Sequence, residues 1–226
     1  MLGVIFDFNG TMFFGEDFQE ISWKNYIRQK TGHDISHEEF QHCIHGRNSA
    51  DSLEYFLGHP VSRDLMDAFE EEKEAIYRNL CLKSKDFKLA DGLTDFLDLL
   101  KEHKIPMTIA TASGWNNVKF FFEHLNLDHW FDICNIVYND GTIPGKPEPD
   151  LYLKAAEKLH TDIHQCVVFE DAFSGIESAK RAGAGKIIQV LSMKHSERYN
   201  HADCYISDYQ DTENLMRQAE LLPWLF

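Results

Sequence analysis

Short apolar runs alternate along the chain with segments whose apolar residues recur at helical spacing. The runs are partly β-branched, lie at residues 2–6, 105–110, 133–137, 167–169 and 187–191, and each predicts a strand. The helical patterns lie at residues 93–103, 117–125, 149–159 and 175–182, with Gly183 placed to end the last helix. Strands that alternate with helices predict an α/β fold with a parallel sheet covered on both faces.

One stretch interrupts this alternation between the first and second predicted strands. Residues 13–86 contain several helical patterns and no convincing strand. Ser36 and Glu39 have the spacing of a helix capping box, and residues 64–80 place apolar side chains on one helical face and acidic ones opposite. We therefore predict a helical domain at 14–86, inserted into a core domain that consists of 1–13 and 87–226.

Composition narrows the classes of partner. The chain has 43% hydrophobic residues and a net charge of −15, so it can fill a core but would be repelled by a polyphosphate backbone. Its five cysteines form no C-x-x-C pair, which is typical of reduced thiols in a cytosol. The first apolar run stops at Asp7, and no run approaches the ~18 residues of a membrane span. The sequence predicts a soluble, cytoplasmic monomer that binds neither nucleic acid nor membranes.

Four polar segments fall at or just beyond the carboxyl ends of predicted strands, where parallel sheets bind ligands. DFNGT at residues 7–11 places a carboxylate before a turn-forming glycine. TASG at 111–114 offers hydroxyl and N–H groups that can hold phosphate oxygens. GKPEPD at 145–150 holds one lysine between residues that restrict the backbone. Two adjacent carboxylates at 170–171 favour a hard cation such as magnesium.

Each segment also fits an ordinary structural role when it is taken alone. The first suits a turn, the second a helix cap, the third a surface loop, and the fourth a solvated pair of acidic residues. Their combined order favours a site, because one cleft could collect a nucleophile, hydroxyl donors, a cation and metal ligands. Chance placement of all four at strand ends is improbable.

Together the four segments resemble the four motifs of the haloacid dehalogenase superfamily, most closely its β-phosphoglucomutase and small-metabolite phosphatase branch. The resemblance spans almost the whole chain. It implies an α/β fold with a Rossmann-like parallel sheet core and an inserted α-helical cap domain. It also implies a magnesium-dependent phosphatase that acts on a small phosphorylated metabolite, with a sugar-phosphate mutase as the nearest alternative.

The resemblance assigns the chemistry residue by residue. It implies that Asp7 is the nucleophile, and that Asp7, the backbone carbonyl of Asn9 and Asp171 bind Mg²⁺ with support from Glu170. Such a division fits phosphoryl transfer, in which positioning and charge neutralisation supply most of the acceleration.

The phosphoryl group itself is assigned to the second and third motifs. By resemblance, Thr111 and Lys146 grip the transferring group. Ala112 and Ser113, which follow Thr111, are candidate substrate-binding residues because their N–H and hydroxyl groups can hold phosphate oxygens.

The likeness extends into the predicted cap. HGR at residues 45–47 resembles the substrate-recognition loop of the mutase branch, which implies that Gly46 and Arg47 bind substrate, and Lys73 matches a cap lysine of that branch. Arg47 and Lys73 could bind the end of a substrate that is not transferred, although an ordinary surface position suits both. Gln19 stands where mutase relatives carry a histidine, which favours a phosphatase.

One position departs from the family pattern. Phosphatases and mutases of the superfamily usually carry a second Asp two residues after the nucleophile, as general acid and base, and this chain has Asn9 there. An amide does not exchange a proton near neutral pH, and losing such help costs about 10²- to 10⁴-fold in rate. The enzyme could use leaving groups of low pKa, take a proton from elsewhere, carry an engineered substitution, or bind without turnover. Asn9 could also convert slowly to aspartate by deamidation, because the Gly10 that follows it offers little hindrance to that reaction.

Overall fold

The computed structural model describes residues 2–44, 49–192 and 197–221 of the chain. The chain divides into two compact units. One consists of Met1–Phe14 and Lys88–Phe226, and the other is Gly15–Phe87.

A parallel six-stranded sheet lies at the centre of the first unit. In chain order, its strands are β1 (Gly3–Phe6), β2 (Met107–Gly114), β3 (Val137–Asn139), β4 (Cys166–Glu170), β5 (Lys186–Val190) and β6 (Cys204–Ile206). Their spatial order is β3-β2-β1-β4-β5-β6, and every neighbouring pair is parallel. The sheet confirms the predicted α/β class with a Rossmann-like core.

Five helices accompany these strands in the described part of the first unit. Numbered in chain order after the four helices of the other unit, they are α5 (Leu93–Glu102), α6 (Trp115–Leu125), α7 (Asp150–Lys158), α8 (Phe173–Ala182) and α9 (Thr212–Gln218). The first four confirm the predicted helices, with ends that differ by no more than two residues. Gly183 ends α8 in a left-handed conformation, as a glycine in that position allows.

The second unit is helical, and its described residues contain no strand. Its helices are α1 (Glu16–Thr31), α2 (His37–Cys43), α3 (Ser49–Leu57) and α4 (Arg63–Lys83). Phe69 of α4 packs between Trp23 and Tyr26 of α1, with ring centroids 4.7 and 4.8 Å away. The predicted capping box is confirmed at the start of α2, where Ser36 and Glu39 exchange side-chain and backbone hydrogen bonds.

Register brings the ends of the central strands together. Phe6, the last residue of β1, lies opposite Ile109 of β2 and Phe169 of β4. The rings of Phe6 and Phe169 stack with centroids 4.9 Å apart. Because the three strands are parallel, the polar residues that follow these positions gather at one edge of the sheet.

The predicted sheet lacks β6, and two further details of it are wrong. Residues Ile133–Asn135 form a 3-10 turn instead of a strand, because the Asp132 side chain accepts the Cys134 N–H and begins the turn. The strand there starts only at Val137. The other error concerns β2, which runs on to Gly114 with an irregular register toward β3, so residues 111–114 belong to the strand instead of following it.

Among the described residues, no helix combines the length and the apolar character needed to span a membrane. All five cysteines are free thiols.

Candidate active site

Asp7 follows the fully buried strand β1 and is itself 6% exposed. Its backbone N–H donates to the Phe169 carbonyl of β4 over 2.9 Å, which fixes its position between the two strands. The chain then turns sharply through Gly10, whose φ is +82°. Burial raises the pKa of Asp7 to about 7, Lys146 opposes that rise, and Glu170 adds to it.

Lys146 joins Asp7 to the end of β4. Its Nζ donates to Asp7 Oδ1 over 2.6 Å and to Glu170 Oε1 over 2.5 Å. Burial works against the ammonium, but Asp7 and Glu170 together raise the pKa of Lys146 well above its usual value. The lysine therefore remains charged, and its peptide bond to Pro147 is cis.

Both oxygens of Glu170 accept hydrogen bonds. Oε1 accepts from Lys146 and, over 3.1 Å, from the buried Tyr152 hydroxyl, while Oε2 accepts the Ala172 N–H over 2.7 Å. A Cβ at Gly175 would lie 1.6 Å from Oε1, so only glycine in the first turn of α8 leaves room for this carboxylate. Burial raises the pKa of Tyr152 well above its usual value, and its hydroxyl is a donor here.

Asp7, Glu170 and Asp171 form an acidic cluster that could hold a metal ion, with one oxygen from each within 4.8 Å of the others. Burial, and then the neighbouring Glu170 and Asp7, raise the pKa of Asp171 well above its usual value. Two of the three residues are buried and Asp171 is half-buried. One ammonium does not balance three ionised carboxylates, so the donor set fits a hard divalent cation. Asp7 and Asp171 would hold such an ion, since the Glu170 oxygens already accept three hydrogen bonds.

The ends of β1 and β2 are joined by side chains. Asn9 Nδ2 donates to Ser113 Oγ over 2.9 Å, and the Ser113 N–H donates to Thr111 Oγ1 over 3.1 Å. Thr111 is buried, whereas Ala112 is exposed and Ser113 is half-buried. The structure thus brings these residues to the edge that carries Asp7.

Three residues of the inserted domain were predicted to bind substrate, and the structure describes only one of them. Gly46 and Arg47 lie outside the described residues. Lys73 is buried within the helical unit, where its Nζ donates to Gln19 Oε1 over 2.9 Å, pairs with Glu74 and lies 5.8 Å from the Trp23 ring centroid. An ordinary surface position, the alternative for Lys73, is therefore wrong.

Sequence reasoning gave no role to Tyr152 or Thr11. Tyr152 lies on the apolar face of α7, and the one available signal was that a buried tyrosine hydroxyl needs a partner. Thr11 Oγ1 lies 3.5 Å from Asp171 Oδ1, close enough to mark it as a neighbour of the acidic cluster.

Gly10 leads to a prediction about stability. A Cβ there would lie 2.0 Å from Asp171 Oδ2, so Gly10→Ala combines backbone strain with displacement of a carboxylate. We expect it to lower the free energy of unfolding by about 1–3 kcal/mol more than backbone strain alone does. Urea unfolding measures the difference.

Gly141→Ala is the matched control. Gly141 also has a positive φ, +74°, but a Cβ there would meet nothing within 4 Å. Equal losses of stability in the two variants would show that Asp171 moves aside without cost, and would contradict a tight contact between Gly10 and the Asp171 carboxylate.

The fold and the site define an α/β protein that gathers a buried aspartate, a lysine and two further carboxylates at the carboxyl edge of its sheet. Residues 1–183 match the family model described as haloacid dehalogenase-like hydrolase. The chain therefore belongs to that family, as the four motifs predict.

Three of the similar proteins share most of their length with this chain. Phosphorylated carbohydrates phosphatase of Thermotoga maritima is 28% identical over 196 residues, which are 84% of this chain and 86% of that protein. Hexitol phosphatase A of Escherichia coli is 28% identical over 205 residues, 89% of this chain and 88% of that protein. The solved structure of a HAD hydrolase, family IA, variant 3, from Entamoeba histolytica is 37% identical with a TM-score of 0.90, covering 97% of this chain and 100% of that one.

Proposed function

We propose that the protein is a magnesium-dependent phosphatase that acts on a small phosphorylated metabolite through a phosphoryl group carried by Asp7. The observation that supports this most is the contact of Lys146 with both Asp7 and Glu170, beside Asp171 at the sheet edge. The two named relatives are phosphatases of phosphorylated carbohydrates and of hexitol phosphates by their names, which supports the same class of substrate.

Asp7 attacks phosphorus in the proposed reaction. A carboxylate oxygen of Asp7 forms a bond to phosphorus as the bond to the leaving oxygen breaks, and water then hydrolyses the acyl phosphate to release inorganic phosphate. Mg²⁺, when held by Asp7 and Asp171, supplies positive charge that favours ionised Asp7 and offsets the charge of the phosphoryl oxygens. The attack requires ionised Asp7, and the hydrogen bond from Lys146 favours that form.

Lys146 and the end of β2 bind the phosphoryl oxygens. The Lys146 ammonium is fixed between two carboxylates, so it presents its charge without a search among rotamers. Thr111 adds a hydroxyl, and the backbone N–H of Ala112 adds a donor on the exposed part of the strand. These groups supply positioning and charge neutralisation, which dominate phosphoryl transfer. All the residues with a role in this proposal belong to the first unit, and none belongs to the helical unit.

Asn9 limits which leaving groups can depart in the proposed reaction. Its amide donates to Ser113 Oγ and has no proton to give to a departing alkoxide near neutral pH. The proposed phosphatase therefore works best on esters and anhydrides whose leaving group has a low pKa. A protein that binds a phosphorylated metabolite without turning it over is the second candidate, and Asn9 is the observation that favours it.

The metal requirement tests this function. Phosphate release from an aryl phosphate should require Mg²⁺ and stop in excess chelator, while circular dichroism shows that the fold is retained. Asp171→Asn should raise the Mg²⁺ concentration for half-maximal rate by about 100-fold or more, because it removes a ligand charge from the cluster.

Asp128→Asn is the control, because Asp128 is an exposed residue of a 3-10 turn in the same unit and the substitution removes the same charge. Full activity in chelator would contradict the proposed metal site. An absence of phosphate release from a broad panel of phosphate esters, with Mg²⁺ binding intact, would favour the binding protein.

A further inference from the structure

Tyr152 is the fully buried tyrosine of α7 whose hydroxyl contacts a site residue directly. The hydroxyl donates to Glu170 Oε1 over 3.1 Å, the same oxygen that accepts the Lys146 ammonium. The Lys146 Nζ also lies 5.1 Å from the centroid of the Tyr152 ring, within the range of a cation–π contact. One side chain thus touches both members of an ion pair.

Glu170 lies between Tyr152 and Lys146 and contacts both, so the direction of its carboxylate decides where the ammonium is held. Its carboxylate is held by the Ala172 N–H on Oε2 and by Tyr152 on Oε1. A carboxylate fixed at both oxygens presents Oε1 to Lys146 in one direction only. Without the phenol, Oε1 keeps the ammonium as its single described partner, and the Ala172 N–H on Oε2 is the one remaining described contact that fixes the carboxylate independently of Lys146.

We propose that Tyr152 is a positioning residue that fixes Glu170 and, through it, holds Lys146 in the direction from which it meets a transferring phosphoryl group. The inference rests on the phosphatase function proposed above. It adds a residue from α7 that does not itself touch the phosphoryl group.

Packing alone does not require this hydroxyl. Phenylalanine would fill nearly the same space beside Leu151 and Ala155 in the core of this unit, without a polar atom that has to be satisfied. Tyr209, another fully buried tyrosine, donates instead to the Thr11 backbone carbonyl. The Tyr152 hydroxyl is directed at a charged side chain, and hydrogen bonds to charged groups are the stronger class.

The test measures anion binding, so it does not depend on turnover. Calorimetry with Mg²⁺ present compares orthovanadate, which takes the shape of the transferring group at the transition state, with inorganic phosphate. Tyr152→Phe should weaken orthovanadate binding about tenfold or more, because a small displacement of the Lys146 ammonium from its productive position is enough for such a loss. Phosphate binding should change by less than about twofold, because positioning acts mainly on the transition state.

Tyr205→Phe is the matched control. Its hydroxyl donates to the Tyr199 backbone carbonyl over 3.0 Å, on the edge strand β6. The same atom is removed and one hydrogen bond is lost, but away from the site. Thermal unfolding should show that both variants remain folded, with the larger loss of stability in Tyr152→Phe, whereas only Tyr152→Phe should weaken orthovanadate binding.

A double-mutant cycle separates positioning from packing. If Tyr152 acts through Glu170, Tyr152→Phe in a Glu170→Ala background should change orthovanadate affinity by less than about twofold. An effect that persists there, or that weakens both anions equally in the wild-type background, overturns the inference. Should Glu170→Ala fail to fold, the single comparison of orthovanadate with phosphate remains decisive.

Failure of the two proposals would look different. A wild-type protein that releases no phosphate but binds orthovanadate in a Tyr152-dependent way would lose the phosphatase assignment and keep Tyr152 as a positioning residue. Unchanged orthovanadate affinity in Tyr152→Phe overturns the positioning role whatever the turnover, and so does a wild-type protein that binds no orthovanadate.

Discussion

Asn9→Asp is expected to accelerate hydrolysis of alkyl phosphates by about 10²-fold or more, while aryl and acetyl phosphates change far less. An alkoxide leaves poorly unless a proton reaches it, and a carboxyl group at this position could supply one. The Asn9 amide, which donates to Ser113 Oγ over 2.9 Å, cannot do so. Aryl and acyl leaving groups depart as stable anions and gain little. Steady-state phosphate release from matched alkyl and aryl substrates measures the effect.

Asn214→Asp controls for the added negative charge, since Asn214 is an exposed residue of α9. Intact mass should be recorded on fresh and aged wild-type protein, because deamidation of Asn9 before Gly10 would imitate the variant. If Asn9→Asp leaves both substrate classes equally slow, proton transfer is not what the protein lacks. The binding protein without turnover would then be the better account.

Asp7→Asn is expected to lower magnesium-dependent phosphate release from an aryl phosphate by about 10⁴-fold or more. The amide is a poor nucleophile, and the substitution also removes the charge that faces Lys146 over 2.6 Å. Asp128→Asn should retain full activity. Urea unfolding of both variants excludes a loss of folding as the cause, and unchanged turnover in folded Asp7→Asn would remove Asp7 from the reaction.

Much of the core could be predicted because local pattern and tertiary structure agree there. β1 and β4 are continuous apolar runs buried on both faces, which is how central parallel strands are recognised. The apolar run at 133–137 wrongly predicts a strand, because the Asp132 side chain caps a 3-10 turn there. Its hydrogen bond to the backbone favours the turn over strand pairing. β6 has only three residues, all half-buried, so its pattern is weak.

The residues that gather at the site were predictable for a geometric reason. Asp7, Lys146 and Glu170 are distant in sequence, but parallel strands deliver their carboxyl ends to one edge, and the ion pairs follow from proximity. Tyr152 could not be found in this way, because its spacing in α7 is that of an ordinary core residue. The division between Glu170, whose oxygens accept hydrogen bonds, and Asp171 also depends on side-chain directions that sequence does not carry.

The phosphoryl group on Asp7 is the central claim, and chemical trapping tests it most directly. The protein is mixed with an aryl phosphate and Mg²⁺, quenched in acid and reduced with borohydride, which converts an aspartyl phosphate to homoserine. Peptide mass spectrometry should find homoserine at position 7 only when substrate was present. Unmodified Asp7 in protein quenched while it releases phosphate would contradict the account.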